Sequence, residues 1–272
     1  RQGFPTVDEQ TEFYSSVIET AGQKAVNFRT LDVGGDKVLP YWNNGHEENP
    51  AMGWRAIRVG LDRPAMLRQQ LRGLIRAGHG QDLRIMFPMI SEASEFFRAK
   101  EILDLELVRE QNNSGKSPKS LAVGIMLEVP GLIWQLDQLA PHLDFISVGS
   151  NDLLQFAFAA DRNNPQLNNR FDTLSPAALS LLKSIAASAN RHGLTTTVCG
   201  EIAGSPLEAM ALIGCGFQNF SMAWSSVPAV KAMVRSLDSR AIKDYIDYSL
   251  ERSYNSLRQP LLAFAKDHAI RL

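Results

Sequence analysis

The feature that most constrains the fold is a regular alternation of short apolar runs with longer amphipathic segments. Six runs have the length and the β-branched or aromatic character of strands: 25–31, 83–89, 122–128, 144–149, 195–199 and 217–222. Helical periodicity occurs at 6–21, 64–78, 92–111, 131–140, 176–192, 205–213 and 226–236, and again in the tail from about 239, with a polar surface loop expected at 111–120. Strands separated by single helices imply parallel pairing, so the pattern predicts an α/β protein with a closed (β/α)8 barrel of the TIM type.

Length and composition are those of one such barrel. With 272 residues, 44% of them hydrophobic, the chain can bury a substantial core, and we predict a single domain over 1–272. The 28 basic and 29 acidic residues balance, which argues against a general attraction for nucleic acid or an anionic membrane. No stretch approaches the roughly 20 apolar residues of a membrane span, and two cysteines are too few for a disulfide framework. We expect a soluble, cytoplasmic protein and, because Arg1 is not preceded by an initiator Met, a fragment of a longer one.

Polar side chains stand where the predicted strands end. Glu128 ends one strand, Asn151 and Asp152 follow the next, and Cys199 ends another. The C-terminal ends of barrel strands are where such enzymes place their chemistry. Carboxylates from two successive strands can converge on one hard cation such as Mg²⁺, which prefers oxygen ligands. The alternative is that each acid caps a helix or forms an ion pair.

Arginines gather in the same regions of the sequence. Arg29 lies at a strand end, Arg55 and Arg58 stand in the segment NPAMGWRAIR, and Arg162 follows AFAAD. The planar guanidinium suits two-pronged contact with phosphate or carboxylate, although a single arginine usually lies on a solvated face. Several arginines together with metal-binding acids indicate a small, highly charged anion, such as a phosphorylated carboxylic acid.

Seven segments resemble, in order, the phosphoenolpyruvate-binding domain of the phosphoenolpyruvate-protein phosphotransferases, enzyme I of the bacterial phosphotransferase system. The resemblance extends over roughly 1–238, and AADRNN and the CGEIAG region are more similar to the nitrogen-related paralogue than to the sugar enzyme. The segments are RTLDVGGDK (29–37), ENPAMGWRAIR (48–58), RIMFPMI (84–90), GIMLEVP (124–130), DFISVGSNDLLQ (144–155), AADRNN (159–164) and CGEIAG (199–204).

This resemblance implies a role for each matching residue. Glu128 and Asp152 are expected to bind Mg²⁺, and Cys199 is expected to protonate the methylene carbon of the enolate as pyruvate forms. A free thiol has a pKa near 8.5 and is mostly protonated at neutral pH, so it can serve as that acid. The alternative interpretation of a free cysteine, a small buried hydrophobic residue, fits Cys215 better than Cys199. The expected phosphoenolpyruvate-binding residues are Arg1, Arg29, Lys37, Arg55, Met126, Asn151 and Arg162.

The resemblance also implies partners. In the family the phosphoryl group passes to a histidine on a separate N-terminal domain and then to a phosphocarrier protein, and the barrel domain forms a homodimer. None of the five histidines here has the Gly- and Ser-rich surroundings of that acceptor. We therefore expect this chain to bind phosphoenolpyruvate without turning it over. Two alternatives stay open: a metal-dependent 2-oxo acid lyase or aldolase, and a non-catalytic sensor of phosphoenolpyruvate or 2-oxo acids.

Overall fold

A computed structural model describes residues 3–34, 47–161, 164, 166–167, 171–252 and 254–272. The chain divides into two compact units, Arg1–Met126 with Leu143–Phe145 and Leu127–His142 with Ile146–Leu272. No helix within the described ranges is both long and apolar enough to cross a bilayer.

The first unit is built on three parallel strands. These are β1 (Asn27–Arg29), β2 (Asp82–Phe87) and β3 (Ser120–Leu127), with Phe28 opposite Ile85 and Ile85 opposite Val123. Each side of β2 therefore pairs with a parallel neighbour, which is why its last three residues are almost fully buried. The helices of this unit are α1 (Val7–Ala21), α2 (Ile57–Asp62), α3 (Pro64–Ala77) and α4 (Ala93–Ser114).

Helix α1 begins with a capping box. The Thr6 hydroxyl accepts a hydrogen bond from the Glu9 N–H at 3.3 Å, and the Glu9 carboxylate accepts one from the Thr6 N–H at 2.9 Å. Two of the backbone donors left unpaired at a helix start are thereby satisfied. The helix ends at Gly22, whose φ of +60° suits glycine.

A ladder of ion pairs joins α3 to α4. Arg72 donates to the Glu106 carboxylate at 2.6 Å, Arg76 donates to Glu110 at 2.6 Å, and Arg68 also pairs with Glu106. The arginines are four residues apart, as are the two glutamates, so each set lies along one helix face. Both glutamates are almost fully buried. The hydrogen bond from Arg76 lowers the pKa of Glu110, so its carboxylate stays ionised inside the interface.

The second unit contains β4 (Phe145–Gly149) from Ile146 onward, β5 (Thr195–Cys199) and β6 (Asn219–Phe220), and these strands neighbour one another in that order. β5 and β6 are parallel, with Val198 opposite Phe220. Leu182 and Ile185 of α7 (Pro176–Arg191) and Met210 of α8 (Pro206–Gly214) are completely buried. The α-helices are α5 (Leu136–Leu139), α6 (Ser150–Ala157), α7 (Pro176–Arg191), α8 (Pro206–Gly214), α9 (Val227–Ser236), α10 (Ser239–Leu250) and α11 (Arg258–Asp267).

Asp172 anchors the start of α11. Its carboxylate accepts hydrogen bonds from Arg258 at 2.8 and 3.1 Å, from Ser256 at 2.6 Å and from the Leu174 N–H at 3.0 Å. Arg258 also donates to Glu208 of α8 at 2.7 Å. Partial burial alone would raise the pKa of Asp172, but the hydrogen bonds outweigh it and lower the pKa to about 2.

The α/β class with parallel strands is confirmed, and each of the six predicted strands is present among the described residues. The prediction of one domain over 1–272 stays a prediction. The predicted loop at 111–120 is wrong in its first part, because α4 continues to Ser114 and the connection is only 115–119. The Ser114 hydroxyl bonds back to the Glu110 carbonyl at 2.8 Å, and Gly115 ends the helix in the left-handed conformation.

Two further differences concern helices. The segment predicted as a helix at 131–140 is a 3-10 helix, Pro130–Gln135, followed by the short α5. Helices α2 and α6 were not predicted, since their runs are short and overlap the motifs that suggested loops at strand ends.

Candidate functional site at the strand ends

The structure describes seven of the ten predicted site residues. Arg1, Lys37 and Arg162 lie outside the described residues. The second unit holds Glu128, Asn151, Asp152 and Cys199, and the first unit holds Arg29, Arg55 and Met126.

The two predicted metal-binding acids are buried at strand ends. Glu128 directly follows β3 and is 2% exposed, and Asp152 lies in the first turn of α6, directly after β4, and is 8% exposed. Position in the first turn places the Asp152 charge at the positive end of the helix dipole. Two buried carboxylates are costly unless cations or donors compensate them, and they are the ligand type that Mg²⁺ prefers.

Within the described part of the chain, these acids do not belong to a larger metal-binding cluster. Among the residues with described positions, no three His, Cys, Asp or Glu side chains are grouped so that they could hold a metal ion by themselves. A cation bound by Glu128 and Asp152 would take its remaining oxygens from water and a ligand. That arrangement suits Mg²⁺, which usually keeps several waters and binds through one or two carboxylates. The donor set therefore fits this ion.

Cys199 is the last residue of β5, and the residue is partly exposed. Its Sγ donates to the Val148 carbonyl at 3.2 Å and accepts from the Ser147 hydroxyl at 3.7 Å. Ser147 is 4% exposed. A hydroxyl that donates to sulfur stabilises the thiolate left when the thiol gives up its proton. The environment is therefore compatible with the predicted proton donor.

Cys215 is different in every respect. It is buried, and its Sγ donates to the Leu179 carbonyl at 3.7 Å. Burial raises the pKa of its thiol to about 12. This confirms the interpretation of Cys215 as a packing residue and makes it a control for Cys199.

Asn151 contacts the turn that follows Cys199. Its side-chain oxygen accepts a hydrogen bond from the Glu201 N–H at 3.1 Å, and the neighbouring Ser150 hydroxyl donates to the Cys199 carbonyl. Gly200 lies between these two bonds with a φ of +100°, a value that favours glycine. The first turn of α6 and the end of β5 thus form one hydrogen-bonded unit around Asn151 and Cys199.

A pocket of about 330 Å³ opens beside Asn151. The rings of Phe158 and Phe171 form one stacked pair, with centroids 5.5 Å apart. The polar side chains that line the pocket include Asn151, Gln155 and Glu201. A mostly apolar concavity with a few polar groups is the usual form of a small-molecule site.

In the first unit the predicted arginines differ in accessibility. Arg55 is 1% exposed, and its guanidinium donates to Asp32 at 3.0 to 3.1 Å and to the Ala51 carbonyl at 3.3 Å. The Arg29 side chain is 38% exposed, with Nη1 3.6 Å from Asp32 and 3.5 Å from the Met126 sulfur. Arg55 therefore holds its own loop through a buried ion pair, whereas Arg29 keeps an accessible guanidinium. Substrate contact by either arginine or by Met126 stays a prediction.

Sequence reasoning missed Ser147, Ser150 and Gly200. Their contacts join segments about 50 residues apart, and short polar residues beside strands carry no specific signal. The one available indication was Gly200 directly after a predicted functional cysteine, since glycine often marks a backbone position that a side chain could not occupy.

Comparison with known proteins gives the family. A model described as "PEP-utilising enzyme, PEP-binding domain", where PEP is phosphoenolpyruvate, matches residues 1–239. The phosphoenolpyruvate-protein phosphotransferase of Latilactobacillus sakei is 40% identical over 265 residues, which are 97% of this chain and 46% of the relative. The "Phosphoenolpyruvate-dependent phosphotransferase system" protein of Escherichia coli (strain K12) is 38% identical over 266 residues, 97% of this chain and 35% of the relative. The chain spans less than half the length of these relatives.

Among solved structures, a Haloferax volcanii malate synthase in complex with magnesium and glyoxylate gives a TM-score of 0.50 at 16% identity. The match covers 85% of this chain and 61% of that chain. At this identity the likeness concerns the fold alone, and it supports the predicted α/β barrel class. With its family model matched over residues 1–239, the chain belongs to the PEP-utilising enzymes and contains their PEP-binding domain.

Proposed function

We propose that this chain is the substrate-binding part of a phosphoenolpyruvate-protein phosphotransferase. It binds phosphoenolpyruvate with Mg²⁺, transfers the phosphoryl group to a histidine on a separate domain, and releases pyruvate. The observation that carries the proposal is the pair of buried carboxylates, Glu128 and Asp152, at two strand ends inside the family-matched region.

Glu128 and Asp152 hold the cation in this proposal. Bound Mg²⁺ supplies neutralising charge for the phosphoryl and enolate oxygens of the ligand. Each carboxylate is one of only a few protein ligands of the cation, because no cluster of three or more potential ligands occurs in the described part of the chain. Loss of either carboxylate should therefore abolish the dependence of ligand binding on Mg²⁺.

The remaining groups of the second unit bind the anion and move a proton. Asn151 donates hydrogen bonds to the ligand from its amide. As the ester P–O bond breaks and the phosphoryl group bonds to the acceptor imidazole nitrogen, an enolate remains. Cys199 then gives its proton to the methylene carbon, which produces pyruvate and a thiolate that Ser147 stabilises until solvent returns the proton.

The histidine acceptor is proposed to lie on a separate domain. Three of the four described histidines are engaged by partners outside the candidate site: His79 bonds with Ser117, His192 with Asp137, and His268 with the backbone of Phe264. The fourth, His142, is exposed at the end of the 3-10 helix Ala140–His142. His46 lies outside the described residues. These contacts support structural roles, so the chain alone should bind phosphoenolpyruvate without sustained turnover.

Further proposals rest on the family alone. In the first unit, we propose separately that Arg29 binds phosphoryl oxygens, that Arg55 adds positive charge and that Met126 contacts the ligand. A cytoplasmic location, a homodimer, a downstream phosphocarrier protein and the nitrogen-related paralogue are proposed on the same basis. The two cysteines are both free, which suits a reducing compartment.

The test is calorimetric titration of the chain with phosphoenolpyruvate, with and without Mg²⁺. Wild type should bind with an affinity that falls at least tenfold when Mg²⁺ is chelated. Glu128→Gln and Asp152→Asn should each bind equally weakly under both conditions, whereas Glu251→Gln, which changes an exposed acid, should behave as wild type. Wild-type binding that ignores Mg²⁺, or retained Mg²⁺ dependence in both site variants, would overturn the assignment.

A further inference from the structure

Two hydrogen bonds tie the turn after β5 to the first turn of α6. The Ser150 hydroxyl donates to the Cys199 carbonyl, and the Glu201 N–H donates to the side-chain oxygen of Asn151 at 3.1 Å. Ser150 is completely buried, so its bond is shielded from competing water. We call this pair of bonds the turn latch.

Gly200 lies between the two residues, Cys199 and Glu201, whose backbones form the turn latch. Its φ of +100° and ψ of −179° form a conformation that L side chains rarely adopt. A Cβ at this position would lie 2.3 Å from the Ser150 hydroxyl oxygen and 2.7 Å from the Asn151 side-chain oxygen. Glycine is therefore required both by its own backbone and by the two side chains that form the latch.

The turn latch uses one end of the Asn151 amide and so determines which end is left for other partners. A side-chain amide has an acceptor oxygen and a nitrogen with two donor hydrogens. The Glu201 N–H can only donate, so it must face the oxygen, and a flipped amide would bring two donors together. With its oxygen engaged, Asn151 keeps its two N–H donors for other partners. A phosphoryl or carboxylate group offers only acceptors and is the matching partner.

We infer that Ser150 and Gly200 are positioning residues that, through the turn latch, present the Asn151 amide donors to the anionic ligand. Ser150 also fixes the backbone of Cys199 by bonding to its carbonyl, while the Cys199 thiol bonds to the Val148 carbonyl. This inference rests on the proposed binding of phosphoenolpyruvate and adds the groups that orient its binding residue.

The test compares Ser150→Ala and Gly200→Ala with matched controls in the same unit. Ser184→Ala also removes a serine hydroxyl bonded to a backbone carbonyl, that of Leu181 at 2.7 Å. Gly193→Ala also places alanine at a positive φ, +67°, but with no atom within 4 Å of the new Cβ. The controls thus reproduce the loss of a hydrogen bond and the backbone strain without touching the turn latch.

Calorimetry with phosphoenolpyruvate and Mg²⁺ gives the first readout. Ser150→Ala should bind about tenfold more weakly than wild type, the equivalent of one hydrogen bond of ordinary strength, and Gly200→Ala should lose more. Ser184→Ala and Gly193→Ala should bind as wild type even where their melting temperatures fall. Wild-type affinity in both latch variants would overturn the inference.

Hydrogen exchange of the Glu201 N–H, measured by NMR without ligand, gives the second readout. Exchange should be slow in wild type and in the two controls, and clearly faster in Gly200→Ala and in Asn151→Ala. Unchanged exchange in Asn151→Ala would show that the bond does not form and would overturn the inference by itself. If wild type shows slow exchange but does not bind phosphoenolpyruvate, the proposed function is wrong while the geometry of the latch stands.

Discussion

Replacing Cys199 by alanine should impair catalysis and hardly change stability, whereas replacing Cys215 by alanine should lower stability and leave catalysis unchanged. Cys199 is partly exposed, and its sulfur makes two weak hydrogen bonds, to Val148 and from Ser147. Water can replace a partly exposed thiol, so Cys199→Ala should change the free energy of unfolding by less than about 1 kcal/mol. Cys215 is 4% exposed, and removal of its sulfur should cost about 1–2 kcal/mol because the buried space is not refilled.

The rate of pyruvate formation should respond in the reverse order, with the larger effect from Cys199→Ala. A positioned general acid contributes a factor of about 10² to 10⁴, which corresponds to about 2.7–5.4 kcal/mol in the activation barrier. Cys199→Ala should therefore slow pyruvate formation by at least about 10², a larger free-energy change than its effect on folding. Cys215→Ala should leave the rate unchanged. Binding of phosphoenolpyruvate should be nearly the same in both variants, since protonation follows departure of the phosphoryl group.

The assay measures pyruvate release after an acceptor domain with a phosphorylatable histidine is added, and thermal unfolding is followed on the same samples. Thiol labelling provides an independent check: with the pKa of Cys215 raised to about 12, only about one in 10⁴ of its thiols is ionised at pH 8. One thiol per chain should react rapidly, and phosphoenolpyruvate with Mg²⁺ should protect it. Equal loss of activity in both variants, or normal turnover by Cys199→Ala, would refute the role of Cys199 as proton donor.

Three further substitutions test the ion pairs and the anion contact. Asp172→Asn should destabilise the protein by about 1–2 kcal/mol at pH 7. The pKa of Asp172 is about 2 in the folded state and 3.8 ordinarily, so the carboxylate loses its stabilising effect as it is protonated. In urea unfolding, the difference in stability between wild type and variant should therefore shrink as the pH falls from about 4 to 2. Glu106→Gln should cost about 1–3 kcal/mol in the same assay, against less than about 0.5 kcal/mol for Asp104→Asn, which breaks an exposed pair on the same helix. Arg29→Lys should weaken phosphoenolpyruvate binding about tenfold by calorimetry, since a lysine cannot make a two-pronged contact, and unchanged affinity would mean that Arg29 acts only through its charge.

The strands and the positions of the chemical groups could be predicted because both depend on local sequence. A buried strand requires a continuous apolar run, so the polar residue that ends the run marks the strand end, as Glu128 and Cys199 do. The same reasoning placed Asn151 and Asp152 correctly after β4.

What could not be predicted depends on contacts between distant segments. The ion pair of Arg55 is one example, because an antiparallel bridge between Gly34 and Arg55 brings its guanidinium to Asp32, 23 residues earlier. Glutamates on helices usually lie in solvent, yet arginines on α3 allow Glu106 to be completely buried. The turn latch at Gly200 is likewise invisible until β5 and α6 are adjacent.

We have proposed that this chain binds phosphoenolpyruvate and passes the phosphoryl group to a histidine that another domain supplies. The most direct test of this proposal is single-turnover pyruvate release from phosphoenolpyruvate and Mg²⁺, measured with the chain alone and after addition of an acceptor domain that carries a phosphorylatable histidine. We predict no sustained release by the chain alone and one equivalent of pyruvate per added acceptor domain, with a matching phosphohistidine signal in ³¹P NMR. Sustained release without the acceptor, or binding with no release in its presence, would contradict the proposed function.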